Sequence, residues 1–100
     1  LSDLIQNLKL DDSIRLANLV QNSIVHAASG IGYRFHNIGV KKAPFFVLVG
    51  AHMPCILVEL GFIDNPEEGI RLGEKSFRKM LANGVASGIT SFLKRPPNVQ

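Results

Sequence analysis

The sequence predicts an α/β fold, with helices packed on a mixed β-sheet. Two uninterrupted apolar runs, FFVLV at 45–49 and CILV at 55–58, have strand length and no polar alternation. Such runs are expected of strands covered on both faces. Segments with helical spacing of apolar residues bracket them on either side. The link at 50–54 is far shorter than the dozen or so residues of a parallel crossover, so the two runs, if neighbours, pair antiparallel.

Residues 1–10 are apolar at positions 1, 4, 5, 8 and 10, a short helical rhythm. Asp11 and Asp12 offer an N-cap and negative charge for a new helix start. From 13 to 28, Ile14, Ala17, Val20, Ile24 and Ala28 form one stripe, with Arg15, Asn18 and Asn22 expected to face outward. Gly30 and Gly32 are the expected stop. Residues 33–44 read as a polar, basic loop broken by Gly39 and Pro44. After the two apolar runs, Asn65-Pro66-Glu67-Glu68 is a helix start: a capping amide, a proline at the first position, and two carboxylates at the positive end of the dipole. Gly73 stops that short helix. A longer one is expected from about Glu74 to Lys94, with Phe77, Leu81, Val85, Gly88 and Phe92 on one face. Gly84 and Gly88 lower helix propensity but admit close backbone packing. Pro96 and Pro97 end it. Two strands alone make a poor sheet, so further strands are expected from outside these 100 residues. The start at Leu1 rather than Met carries the same expectation of a longer parent.

The apolar share of 46% supports a packed core and excludes intrinsic disorder. Charged residues make up 19%, below the roughly 25% of an average soluble domain. Eleven Lys and Arg against eight Asp and Glu leave a formal charge of +3. The cluster Arg71, Lys75, Arg78 and Lys79 reads as a solvated helix face. One Tyr and no Trp argue against a nucleic-acid surface. No apolar run reaches the ~18 residues of a membrane span, and no signal peptide opens the chain. The single Cys55 excludes an internal disulfide framework and reads as an inert residue before an apolar strand.

Glu59 is the candidate for chemistry. It closes an apolar run and is followed by a turn at Gly61, the position where open α/β sheets bind ligands. Apolar walls raise a carboxyl pKa and suit it to accept a proton near neutral pH. The alternative is a strand-end carboxylate that reaches water. His26, His36 and His52 match no zinc-binding spacing.

The segment MPCILVELGFIDNPEE, residues 53–68, closely resembles the last motif of the zinc-dependent N-acetylmuramoyl-L-alanine amidases: Met53, Pro54, Cys55, an apolar strand, Glu59, Gly61, Phe62 and Asn65. Gly39, Val40, Ala43, Phe45, Val47 and Leu48 resemble the family's preceding loop and strand. Ser13 and Ala17 resemble its earlier helix, and Ile70, Leu72, Phe77, Arg78 and Ile89 its closing helices. The resemblance runs over about residues 10–95. Asp64 stands where Ser is common and Cys55 where Ser or Ala is common.

That resemblance implies a peptidoglycan hydrolase that cuts the amide between N-acetylmuramic acid and L-alanine, in the periplasm or outside the cell. It implies one zinc ion held by two His and one Glu, all upstream of Leu1, so no metal ligand is expected in this chain. Glu59 then falls in the role of catalytic general base and transition-state stabiliser. Residues 1–12 resemble the tail of a helical insertion that occludes the zinc site in Gram-negative division amidases until an activator protein relieves it. An ordinary amphipathic turn is the other reading of the same residues. Residues 13–95 correspond to the C-terminal part of the catalytic domain and 96–100 to a tail. The alternative function is a non-catalytic regulator of the same fold that binds peptidoglycan or a division protein.

Overall fold

The computed structural model describes residues 2–35, 39–41, 51–61 and 64–94, with the side chains of the first helix described from Leu10 onward. Three helices organise them: α1 (Ser2–Ser29), α2 (Pro66–Gly73) and α3 (Lys75–Lys94). The helix start expected at Asp11 and Asp12 does not occur, because α1 runs through both. No Gly or Pro interrupts residues 2–29. An Asp inside a helix costs less than about 0.7 kcal/mol relative to Ala, too little to break one without such a residue. The boundary expected after residue 12 therefore falls inside α1.

The C-terminus of α1 forms where Gly30 and Gly32 place it. Gly32 takes the left-handed conformation at φ 74°. Its N–H donates to the Ser29 carbonyl at 3.1 Å, and the Tyr33 N–H donates to the Ala28 carbonyl at 2.9 Å. This is a Schellman cap, which satisfies the last carbonyls and turns the chain back. The turn sends Tyr33 into the core, so the loop expected to be polar from residue 33 begins with a buried aromatic. Tyr33 packs edge-on to Phe35 at 4.9 Å and edge-on to Phe77 at 5.0 Å between ring centroids. Edge-to-face rings place positive rims against negative faces.

Helices α1 and α3 pack antiparallel, with Val20 opposite Gly88, Ile24 opposite Gly84, and Arg15 opposite Phe92. A Cβ on Gly88 would lie 2.5 Å from the Val20 Cα, and one on Gly84 would lie 2.9 Å from the Ile24 Cα. The two glycines let the helix backbones touch, as their spacing of four predicts. The core is completed by Val20, Ile24, Ala28, Met80 and Leu81.

Arg15, expected to face solvent, lies against α3 instead. Its guanidinium carbon sits 4.0 Å from the centre of the Phe92 ring. Its Nε and Nη2 are buried with no hydrogen-bond partner among the described residues. The long aliphatic stem reaches across the helix surface, and the ring face attracts the cation.

The described residues contain no β-strand. The first apolar run, 45–49, lies outside them. The second, 55–58, forms neither helix nor strand. Ile56 and Val58 pack on the helical core. Leu57 is 44% exposed. Among the described residues the helices thus cover one side of this run and Leu57 stands on the other, and no sheet is shown.

Candidate functional site

The site is built on residues 51–61, which bend at His52 and Met53 and lay Ile56 and Val58 on the core formed by α1 and α3. Side chains of extended backbone alternate between faces. Ile56 and Val58 point to the helices, so Leu57 and Glu59 fall on the opposite face, and both are exposed. Glu59 therefore reaches solvent in this chain. Of the apolar wall expected beside it, Val58 is turned partly into the core and Phe62 lies outside the described residues.

Both ends of the segment are held. At the start, the Cys55 backbone N–H donates to the Ser13 hydroxyl oxygen on α1 at 3.0 Å, across 42 residues of sequence. A bond of this type contributes about 1 kcal/mol net. The Cys55 thiol is free and half-buried, in keeping with a packing role. At the far end, Gly61 adopts φ 147°, which disfavours any side chain, and a Cβ there would sit 3.5 Å from Leu72 Cδ1. Gly61 thus seats on α2.

α2 is fixed by its own cap. Asn65 Oδ1 accepts from the N–H groups of Glu67 and Glu68, each at 3.1 Å, as the Asn-Pro-Glu-Glu run predicts. Arg78 on α3 donates from Nη1 to the Leu72 carbonyl at 2.9 Å, closing the other end. Arg71 lies over the Tyr33 ring at 5.3 Å. Two members of the basic cluster are thus engaged locally, while Lys75 and Lys79 are exposed. Burial raises the Tyr33 pKa above 10.0, the charges of Glu67 and Glu68 raise it further, and Arg71 opposes them.

The histidines do not converge. His26 is exposed at the rim of a groove between α1 and α3, beside Asn22, Ser23, Asn83 and Ser87. His52 is exposed in the link before Met53, and His36 lies outside the described residues. Among the described residues, no three His, Cys, Asp or Glu side chains are grouped to hold a metal ion. Nor is any described helix long and apolar enough to cross a membrane.

Sequence reasoning picked out Glu59, Gly61 and the Asn65 cap. It missed the tie from Ser13 to Cys55. No local pattern marks it, since a serine inside a helix gives no sign of a partner 42 positions away.

Comparison with known proteins agrees with the motif. The chain is 40% identical over 95% of its length to the N-acetylmuramoyl-L-alanine amidase AmiC of Neisseria meningitidis, covering 23% of that protein. It is 33% identical over 92% of its length to the amidase AmiA of Escherichia coli, covering 30% of it. To the amidase LytC of Bacillus subtilis it is 31% identical over 83% of its length, covering 16%. The chain thus spans less than a third of the length of these curated relatives. No solved structure gives a significant match. Residues 4–91 match the family described as N-acetylmuramoyl-L-alanine amidase. With nearly nine-tenths of its residues inside that match, the chain belongs to the N-acetylmuramoyl-L-alanine amidase family.

Proposed function

We propose that this chain forms the Glu59-bearing part of a peptidoglycan hydrolase that cleaves the amide between N-acetylmuramic acid and the L-alanine of the stem peptide. The observation that carries the reading is the family match across residues 4–91, which contains the whole motif from Met53 to Glu68. In this reading the apolar runs 45–49 and 55–58 pair with strands contributed by the remainder of the domain, completing an α/β sheet. The exposed face of Leu57 and Glu59 turns toward that remainder.

Glu59 supplies the proton chemistry. Its carboxylate accepts a proton as water attacks the amide carbonyl, and returns it to the departing alanine nitrogen. One zinc ion, held by residues of the remainder, supplies Lewis acidity at the carbonyl when bound. The working compartment is the cell envelope, periplasmic or extracellular, where peptidoglycan lies. A division-associated protein that activates the amidase by acting on the insertion to which residues 1–12 belong is part of the same reading.

The test is product analysis. Purified peptidoglycan is digested with the amidase carrying this chain, and the soluble products are identified by mass spectrometry. Free stem peptides with an L-alanine amino terminus, lost on chelation and restored by zinc, support the reading. Binding to peptidoglycan without any released peptide points to the non-catalytic regulator.

A further inference from the structure

We infer that Ser13 is a positioning residue for Glu59: its hydroxyl sets the register in which residues 55–59 lie across the helices. The inference rests on the proposed role of Glu59 in the amidase reaction.

An extended chain has a period of two. Alternate residues face opposite sides, so a slip of one position exchanges the two faces completely. In the observed register Ile56 and Val58 meet the core, and Leu57 and Glu59 face away from it. Shifted by one, Leu57 and Glu59 would press on α1 and α3, and the carboxylate would leave its exposed face. Apolar packing alone discriminates weakly between the registers, because Cys55, Ile56, Leu57 and Val58 are all apolar; the slipped one is opposed by burial of the Glu59 carboxylate. A directional contact at Cys55 adds to that discrimination. The Cys55 N–H bonds to Ser13 Oγ at 3.0 Å, and that oxygen is carried by a continuous helix. The alternation that follows then counts forward to Glu59 over four residues. Gly61, seated on Leu72 and Glu68 of α2, fixes the exit of the segment but lies beyond Glu59. Ser13 thus acts on the carboxylate through backbone geometry and touches no reacting atom.

The experiment uses the amidase carrying this chain, with Ser13→Ala, Ser13→Thr and Glu59→Gln compared by kcat, KM, melting temperature and hydrogen exchange at the Cys55 amide. Activity is read well below every melting transition. Ser13→Ala is expected to lower kcat about 10- to 100-fold with KM little changed, the scale of an ångström-sized misplacement, and to speed exchange at the Cys55 amide. Ser13→Thr keeps the acceptor oxygen and is expected to restore both. Glu59→Gln is expected to lower turnover on the order of 100- to 10,000-fold with Cys55 exchange unchanged. Normal kcat in Ser13→Ala, with Glu59→Gln impaired, overturns the positioning role alone. A Ser13→Thr variant as impaired as Ser13→Ala overturns it too. Near-normal turnover in Glu59→Gln overturns the role of Glu59 and the inference with it.

Discussion

Gly88 to Ala is a substitution for which intrinsic propensity and packing give opposite answers. In an exposed helix, exchanging Gly for Ala stabilises by about 1 kcal/mol. At position 88 the new Cβ would lie 2.5 Å from the Val20 Cα and 2.9 Å from both its backbone N and Cγ2. That is about 1 Å short of ordinary carbon separation. Two of the three obstructing atoms are backbone and have no rotamer to move to, so α1 and α3 must separate. Overpacking of this kind costs about 1–3 kcal/mol, and the two backbone contacts put this case at the upper end, so the net loss reaches about 2 kcal/mol after the propensity term. For a chain of this size, each kcal/mol lowers the melting temperature by about 4–8 °C. Gly84→Ala meets the Ile24 Cα at 2.9 Å and is expected to be milder. Gly73→Ala meets nothing within 4 Å among the described residues and is the control, expected to lose nothing. Thermal unfolding followed by circular dichroism ranks the three. Combining Gly88→Ala with Val20→Ala removes the clash with Cγ2 but leaves the clash with the α1 backbone, so it rescues little. A Gly88→Ala chain as stable as the parent would refute the packing argument.

Three further outcomes are expected. Asn65→Ala removes the acceptor of two N–H groups at the start of α2 and is expected to destabilise by about 1 kcal/mol in denaturant unfolding, with Asn65→Asp nearly neutral. Tyr33 has a folded pKa raised above 10.0 by burial and by Glu67 and Glu68. The unfolded chain therefore ionises first as pH rises. Its contribution is complete below pH 10.0 and is lost above it, and Tyr33→Phe should flatten that alkaline loss in a pH series of melting temperatures. Zinc titrated into the 100-residue chain should reveal no tight site by calorimetry, since His26 and His52 are separate and exposed. One sub-micromolar site per chain would contradict this.

Local signals were the readable ones. The Gly30 and Gly32 stop and the Asn65 cap with its proline and two glutamates follow from backbone rules acting within a few residues, and Gly84 and Gly88 mark a close approach by lacking a Cβ. What escaped was decided by distant partners. Asp11 and Asp12 have the chemistry of a cap, but with no helix breaker nearby α1 continues through them. Arg15 has a polar head, yet Phe92 on α3 offers a ring to cover it. Tyr33 and Phe35 sit in a basic stretch, and only the Schellman turn at Gly32 aims them at Phe77. For the candidate site, the motif marks Glu59, while the tie from Ser13 that orients its segment appears only in three dimensions.

Glu59 carries the proposed chemistry, and Glu59→Gln tests it most directly. The amide keeps the shape of the side chain and removes its basic oxygen. Stem-peptide release from purified peptidoglycan and zinc content are measured together on the amidase carrying this chain. Turnover is expected to fall on the order of 100- to 10,000-fold, the usual contribution of a general base, with zinc content unchanged. Near-normal turnover would contradict the assignment, and loss of zinc together with turnover would make Glu59 a metal ligand instead of a base.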